Sequence, residues 1–275
     1  MPEFTTLTQS AHGVSAGART SVRPASDAQR TPFRLKLQYG MLLLACLGLI
    51  AGLFYKPVQQ DSPPPDFSAL DGAERKDAFF AYLRPLLQEV NADAQRDRDL
   101  VEALARSPAR GDGLSWHAQL RLSAVAGRYG IEFDDVESTL ESLLARTGTV
   151  PVSLALVQAA KESGWGTSRF AREGNNLFGQ RCNYSGCGIR PKQQAEGATW
   201  GVARFDSIRS SLESYLRNLN THKAYREFRA MRLEMRMRDE APNGFELAGT
   251  LQRYSEQGER YVADVRSMIR QNGLE

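Results

Sequence analysis

A run of eleven residues in the second half of the chain, 150–160, is apolar on almost every helical face. A helix with this pattern is buried on most sides, so other helices have to surround it. Gly164 and Gly166 follow closely and predict that the helix ends there. Glu162 lies between the apolar run and these glycines. The sequence therefore predicts a helical body around one central helix, with a carboxyl group at the end of that helix.

Two effects predict a raised pKa for the Glu162 carboxyl. Apolar surroundings disfavour the charged form, and the C-terminal end of a helix carries partial negative charge. A carboxyl that stays protonated near neutrality can give its proton to a leaving-group oxygen, which is what glycoside hydrolysis requires. The alternative is an exposed glutamate at a frayed helix end. Spacing alone does not decide between the two interpretations.

The rest of the chain has mostly helical periodicity, which predicts a mainly α fold class. Apolar stripes at helical spacing comprise Phe79, Leu83, Leu86 and Val90; Trp116, Leu120 and Ala124; Val136, Leu140, Leu143 and Leu144; Leu212, Tyr215, Leu216 and Leu219; Leu247, Leu251 and Tyr254; and Tyr261, Val265 and Met268. Ser115 and Asp135 are predicted N-caps. Between residues 179 and 205 no helical pattern occurs, and the alternation in 200–205 predicts a short strand in a small β lobe.

The first 69 residues predict an export and anchoring region. Residues 1–38 have almost no periodic apolar pattern, which is typical of a disordered cytoplasmic leader. Residues 39–55 are uncharged and apolar, and as a helix would span about 25 Å, enough for a short transmembrane anchor. A cleaved signal peptide and a lipoprotein signal at Cys46 are the alternatives. Residues 56–69 contain four prolines and predict an extended spacer.

Charge predicts where the chain acts. Five Lys and Arg residues precede the apolar run, so the N-terminus should stay in the cytoplasm and the rest should be exported to the periplasmic side of the membrane.

Residues 70–149 then form a predicted helical region, and 150–275 the catalytic domain. Residues 70–148 carry ten basic and fourteen acidic side chains, and those from 150 onward nineteen and fourteen. The basic catalytic half suits an anionic polymer, whereas the net charge of +3 gives no indication of nucleic acid.

An arginine-rich stretch after residue 225 predicts an amphipathic helix. Arg226, Arg229, Arg232 and Arg236 recur at helical spacing beside a stripe of apolar side chains. This basic face is expected to be solvated, or to contact anionic lipid or peptide.

Two motifs near the central helix resemble a known family. They are Glu162-Ser-Gly-Trp-Gly-Thr-Ser168 and Gly174-Asn-Asn-Leu-Phe-Gly179. The pair resembles the glucosaminidase-domain family of bacterial cell-wall hydrolases, and in particular its Bax-type branch, which is unrelated to the apoptosis regulator. Further stretches extend the resemblance over roughly residues 70 to 275: Arg75-Lys-Asp-Ala-Phe-Phe80, Cys182-x4-Cys187-Gly188, Arg217-Asn-Leu-Asn-Thr-His222 and Tyr254-Ser-Glu-x-Gly258.

The resemblance implies an endo-acting N-acetylglucosaminidase with a lysozyme-like fold and Glu162 as its catalytic acid. It implies a second carboxylate in the β lobe, for which Glu196 is the candidate, and a tyrosine near the end of the domain, for which Tyr254 is the candidate. A solvated loop position for Glu196 and a plain core position for Tyr254 are the alternatives. The candidate substrate-binding residues are Trp165, Asn175, Asn176 and Phe178. A wedge at the helix end for Trp165, and a buried turn for Phe178, are the structural alternatives.

Cysteine and histidine usage predicts a disulfide and no metal. Cys182 and Cys187 lie outside the membrane in the predicted topology, where a bridge can persist. A zinc site would need two further ligands, and the chain has only three histidines, so no metal and no cofactor are expected. The predicted partners are peptidoglycan glycan strands and the inner membrane, with no nucleic acid.

Two other functions remain open at this point. A muramidase or lytic transglycosylase can use a single glutamate on a lysozyme-like fold, but such enzymes usually carry a Gly-Leu-Met-Gln-like block after the catalytic helix, where this chain has Asn175-Asn-Leu-Phe-Gly179. The other alternative is a catalytically weak module that binds the cell wall.

Overall fold

The computed structural model describes residues 63–107, 113–184, 186–192, 194 and 197–275. The predicted leader and anchor lie outside these ranges, as does most of the predicted spacer. Within the described part of the chain, no helix combines the length and the apolar character that a membrane crossing needs.

The described part is mainly helical, with two short strands. The helices are α1 Gly72–Ala105, α2 Trp116–Arg128, α3 Val136–Arg146, α4 Val152–Ser163, α5 Arg169–Gly174, α6 Ile208–Thr221, α7 Arg226–Met237, α8 Gly244–Leu247 and α9 Glu259–Gln271, with 3-10 turns at Lys223–Tyr225 and Ala248–Thr250. The strands are β1 Arg181–Cys182 and β2 Gly201–Val202. Helix α1 spans 34 residues and continues through Pro85.

Two apolar clusters hold these helices together. The main core is built from Phe67, six residues of α1 between Phe79 and Ala94, the buried apolar residues of α4, α6, α7 and α8, and Tyr261, Val265 and Ile269 of α9. The outer core consists of Val101, Leu114, Leu122, Val125, Ala126, Tyr129, Leu140 and Leu143. Helix α1 contributes to both cores, so it joins the outer helices α2 and α3 to the rest of the body.

Helix α4 is the central helix of the main core, as the apolar run predicts. Eight of its twelve residues are buried, and the helix packs against α1, α8 and α9. Its start is fixed to α1 by two hydrogen bonds with Asn91. The Asn91 Nδ2 donates to the Val150 carbonyl at 2.8 Å, and the Val150 N–H donates to the Asn91 Oδ1 at 2.9 Å.

Most of the predicted helical faces are confirmed. The four α1 residues of the predicted stripe are buried, as are the four of α6. Ser115 and Asp135 cap α2 and α3 by accepting from the N–H groups of Ala118 and Ser138. The segment after Asn243 differs from its prediction, because α8 has only four residues and passes into a 3-10 turn.

The predicted buried stripe of α2 is wrong. Trp116 is 68% exposed and Leu120 63% exposed, whereas Leu122, Val125 and Ala126 are buried. The helix carries two apolar stripes on different faces, and the outer core takes the one that includes Leu122 and Val125. A single stripe could not indicate which of the two faces α1 and α3 would cover.

The arginine-rich helix α7 also differs from its prediction. Arg229 and Arg236 are half-buried and donate to main-chain carbonyls. Arg232 is 1% exposed rather than part of a solvated basic face. Its guanidinium donates to the Thr149 carbonyl at 2.9 Å and to the Asn220 Oδ1 at 2.7 Å. Desolvation lowers the pKa of Arg232 to about 9. Arg232 therefore connects α7 to the segment that leads into α4.

The β lobe is small and closely packed. Strands β1 and β2 pair antiparallel with Arg181 opposite Val202 and Cys182 opposite Gly201, so the predicted strand at 200–205 is only two residues long. Cys182 and Cys187 are joined by a disulfide. Any side chain at Gly201 would collide with the Cys187 carbonyl, which explains why a glycine occupies this strand position.

Candidate active site

Glu162 is the penultimate residue of α4, and the chain turns sharply after it. Gly164, Trp165 and Gly166 all have left-handed backbone angles, with φ of 58°, 59° and 77°. Glycine adopts this region without steric cost, while a residue with a side chain does so at a cost of about 1–2 kcal/mol. A Cβ added at Gly166 would also lie 2.5 Å from the Phe67 ring. Gly164 and Gly166 are therefore backbone requirements of the turn that ends α4, whereas Trp165 takes a left-handed conformation despite its side chain.

Ser163 fixes this turn from inside the protein. Its buried hydroxyl donates to the Ala159 carbonyl at 2.6 Å and accepts from the Gly166 N–H at 2.8 Å. The Ser168 N–H donates to the Ser163 carbonyl at 2.9 Å. Because Ser163 adjoins Glu162, these bonds hold the backbone that carries the carboxyl group.

Four tyrosine phenols from different parts of the fold lie close enough to the Glu162 carboxyl to interact with it electrostatically. They are Tyr215, Tyr225, Tyr254 and Tyr261. The rings of Tyr254 and Tyr261 stack at 5.4 Å between centroids, and Phe178 stacks on Tyr215 at 4.0 Å. Glu162 thus projects from the central helix toward these four tyrosines and Phe178, which together form an aromatic wall.

A chain of hydrogen bonds connects this wall to the helix. Gln158, one turn before Glu162, is fully buried. The Tyr215 hydroxyl donates to the Gln158 Oε1 at 2.6 Å, and the Gln158 Nε2 donates to the Tyr261 hydroxyl oxygen at 2.8 Å. The Tyr261 hydroxyl in turn lies near the Glu162 carboxyl and interacts with it electrostatically. Sequence reasoning missed Gln158, although a single amide in an otherwise apolar helix was a signal of a buried polar contact.

Burial raises the pKa of Glu162 above the ordinary glutamate value. The hydrogen bond from Tyr261 and the positive charge of Lys161 act in the opposite direction and limit this rise. Lys161 is itself paired with Asp264, with 2.7 Å between Nζ and Oδ2. Desolvation also raises the pKa values of Tyr215 and Tyr254, so these phenols stay neutral around the carboxyl.

Trp165 packs against α1. Its ring makes edge contacts with Phe79 and Phe80, with centroids 5.8 Å and 5.2 Å away, and the Lys76 Nζ lies 5.4 Å from the ring centre. This packing agrees with the structural alternative, in which Trp165 is a wedge at the end of α4. Its contact with a sugar remains a prediction.

The Asn-Asn-Leu-Phe motif organises the loop that leads into the β lobe. Asn176 is 1% exposed, and its amide makes four hydrogen bonds: it donates to the carbonyls of Gln180 and Ala203 and accepts from the N–H groups of Phe178 and Gln180. These bonds use the full capacity of an asparagine side chain. Phe178 is 4% exposed on Tyr215. Phe178 thus packs on one of the tyrosines near Glu162, and Asn176 holds the loop that carries Phe178. Contact of either residue with substrate remains a prediction.

The other predicted site residues occupy different positions. The Asn175 Nδ2 donates to the Phe205 carbonyl at 2.9 Å from a left-handed position at the end of α5. Tyr254 is half-buried beside Tyr261 and interacts with Glu162. Glu196 lies outside the described residues, so its role as the second carboxylate remains a prediction. Within the described ranges, no group of His, Cys, Asp and Glu side chains could hold a metal ion.

This arrangement can supply a proton. A carboxyl with a raised pKa, held on a rigid helix end and surrounded by neutral phenols, suits general acid catalysis. A structural role in the core would not require an ionisable group there.

Comparisons with known proteins agree with this chemistry. Residues 138–274 match the family described as glucosaminidase, mannosyl-glycoprotein endo-beta-N-acetylglucosaminidase. Protein bax of Escherichia coli (strain K12) is 32% identical over 207 residues, which cover 73% of this chain and 71% of that protein. The catalytic domain of the autolysin Auto from Listeria monocytogenes aligns with a TM-score of 0.35 at 19% identity, over 66% of this chain and 94% of that chain, a likeness too low for a conclusion about the fold. On the family match and the similarity to protein bax, the chain belongs to the glucosaminidase family and is a glycoside hydrolase.

Proposed function

We propose that the chain is an endo-β-N-acetylglucosaminidase that cleaves the glycan strands of peptidoglycan, with Glu162 as its general acid. The observation that carries the proposal is the placement of the Glu162 carboxyl. Burial raises its pKa, and tyrosine phenols surround it at the end of the central helix. Family membership supplies the reaction class.

Acid catalysis at this site follows from the protonated form of Glu162. The carboxyl gives its proton to the glycosidic oxygen as the bond from that oxygen to the anomeric carbon breaks. Positive charge develops on the sugar ring, and a water molecule completes hydrolysis at the anomeric carbon. Glu196 is the proposed group that orients this water or stabilises the cation, and Tyr254 is proposed to act beside Glu162. We propose a lysozyme-like fold for this body.

Peptidoglycan is the proposed polymer for two reasons. The motifs around Glu162 and in 174–179 resemble those of cell-wall hydrolases. The half of the chain that carries them is basic, with nineteen Lys and Arg against fourteen Asp and Glu from residue 150 onward. Such a surface favours an anionic polymer over a neutral one.

The identity of the new reducing end tests the cleavage type. Purified glycan strands would be digested with the 275-residue chain, reduced with borohydride, and examined by mass spectrometry beside a digest with heat-denatured protein. A glucosaminidase leaves N-acetylglucosamine at the new end, which becomes its alditol. Reduced N-acetylmuramic acid would indicate a muramidase, and an anhydro end that resists reduction would indicate a lytic transglycosylase. No new ends would indicate a wall-binding module.

The location is a second part of the proposal. We propose that residues 39–55 anchor the chain in the cytoplasmic membrane and that the catalytic body lies on its periplasmic side, because five basic residues precede the apolar run. A phosphatase reporter that folds only after export, fused after Glu275, should be active. Activity of a reporter that matures only in the cytoplasm would overturn this topology.

A further inference from the structure

The hydrogen bonds around Gln158 have a defined direction. The Gln158 Oε1 accepts from the Tyr215 hydroxyl at 2.6 Å, so its Nε2 is left to donate to the Tyr261 hydroxyl oxygen at 2.8 Å. A phenol has a single hydrogen to donate. Because the Tyr261 oxygen already accepts from Gln158, its hydrogen is available for another acceptor, and the Glu162 carboxyl is the neighbouring acidic group with which it interacts.

The position of Gln158 makes this arrangement rigid. Gln158 and Glu162 are four residues apart on α4 and therefore lie on the same side of the helix. Gln158, Tyr215 and Tyr261 are each at most 1% exposed. A buried polar chain of this kind is fixed in orientation, since reversing one bond would leave a donor or an acceptor without a partner.

We infer that Gln158 and Tyr261 are positioning residues for the acid: Gln158 orients the Tyr261 hydroxyl so that it donates to the Glu162 carboxyl. The catalytic meaning of this inference rests on the proposed function. The bond holds the carboxyl in one orientation and stabilises the carboxylate that remains after proton transfer. It therefore acts against burial, which favours the protonated form of the carboxyl.

The other described groups that face Glu162 are less suited than Tyr261 to donate to its carboxyl. Lys161 lies on α4 itself and is paired with Asp264 of α9. Tyr215 comes from α6, Tyr225 from the 3-10 turn before α7, and Tyr254 from the segment before α9, and all three have raised pKa values. Among these described neighbours, Tyr261 is the phenol whose interaction with the carboxyl lowers the pKa of Glu162, and Lys161 is the cation that does so.

A direct titration of Glu162 tests the inference without relying on catalysis. The 275-residue chain would be labelled with carbon-13 at glutamate side-chain carboxyls, and the Glu162 signal assigned by its loss in Glu162→Gln. In Tyr261→Phe the ring stays in place but the donated hydrogen bond is lost. The Glu162 midpoint should rise by about one pH unit, since the charged form loses a hydrogen bond. An unchanged midpoint would overturn the inference. A lower midpoint would do the same, because it would mean that Glu162 donates to Tyr261.

Two further variants make the result specific. Tyr215→Phe releases the Gln158 amide from its fixed orientation and should raise the Glu162 midpoint by a smaller amount, which also provides the test if Tyr261→Phe fails to fold. Tyr129→Phe removes a largely buried phenol from the outer core and should leave the midpoint unchanged. An equal shift in Tyr129→Phe would refute a specific role for Tyr261.

Cleavage assays on the same preparations separate the inference from the proposed function. If glycan strands are cleaved and the midpoint is unshifted in Tyr261→Phe, the inference fails and the function stands. If the midpoint rises but the wild-type chain cleaves no glycan, the function fails and the hydrogen-bond arrangement stands.

Discussion

The main core and the outer core share helix α1, but they differ in how the buried polar side chains in and beside them are hydrogen-bonded. The main core encloses Gln158, whose amide is paired with two tyrosines next to Glu162. The outer core is built from apolar residues and Tyr129. On α3, beside it, lies the Thr139 hydroxyl, the one buried side-chain polar atom without a hydrogen-bond partner among the described residues.

This difference indicates what each region contributes. A buried polar network restricts the orientation of its members, and an unpaired hydroxyl only costs stability. The main core therefore controls the environment of an ionisable group, and the outer core supports the fold. Substitutions in the two regions should separate activity from stability.

The largest expected effect is on activity, in the main core. Glu162→Gln keeps the size of the side chain but cannot donate the proton, and the loss of general acid catalysis typically lowers the rate by about 10²–10⁴-fold. Release of reducing sugar from peptidoglycan measures the loss.

The stability of the same variant is its control. The raised pKa of Glu162 means that this carboxyl favours folding at low pH and that the contribution is lost as the pH rises through the folded-state pKa. At neutral pH, Glu162→Gln should therefore melt at the wild-type temperature or slightly above it. A large fall in the melting temperature would mean that the helix end had collapsed and that the lost activity says nothing about the acid.

The next effect is on stability, in the outer core. Leu122 is fully buried, and Leu122→Ala should lower the free energy of unfolding by about 2–5 kcal/mol. Leu120→Ala is the matched control on the same helix, because Leu120 is 63% exposed and its loss should change stability little. Denaturant unfolding measures both. A changed kcat in folded Leu122→Ala would show that the outer core does influence the site.

The smallest effect concerns Thr139. Thr139→Val keeps the shape of the side chain and removes the unpaired hydroxyl, so it should stabilise the protein by about 1 kcal/mol. Cleavage of peptidoglycan should be unchanged. A destabilised variant would show that the hydroxyl has a partner, such as a bound water molecule.

The sequence predicted the position of Glu162 because the apolar run of α4 admits one arrangement, a helix buried on most sides. It did not predict the buried face of α2, where the stripes through Leu120 and Leu122 both have helical spacing. Burial of Arg232 was equally unpredictable, since it depends on the carbonyl of Thr149, far away in the sequence. The pairing of Gln158 with Tyr261 links residues that are 103 positions apart.

Contacts that could not be predicted from local sequence also determine the structure of the β lobe. The motif that includes Asn176 could be recognised, but its four hydrogen bonds reach residues on both sides of the lobe and follow from the fold rather than from local pattern. Helix α5 was not predicted, because six residues between two glycine-containing turns are too short for periodicity to be detected.

The pH dependence of kcat/KM on peptidoglycan tests most directly the central claim that a half-buried Glu162 acts as the acid. The alkaline limb of this profile reports the pKa of the essential acid in the free enzyme. Activity should be present below that pKa and lost above it, with a midpoint higher than the ordinary glutamate value of about 4.3. The midpoint should also coincide with the titration of the Glu162 carboxyl. An alkaline limb at or below the ordinary value, or a midpoint unrelated to the titration of Glu162, would contradict the claim.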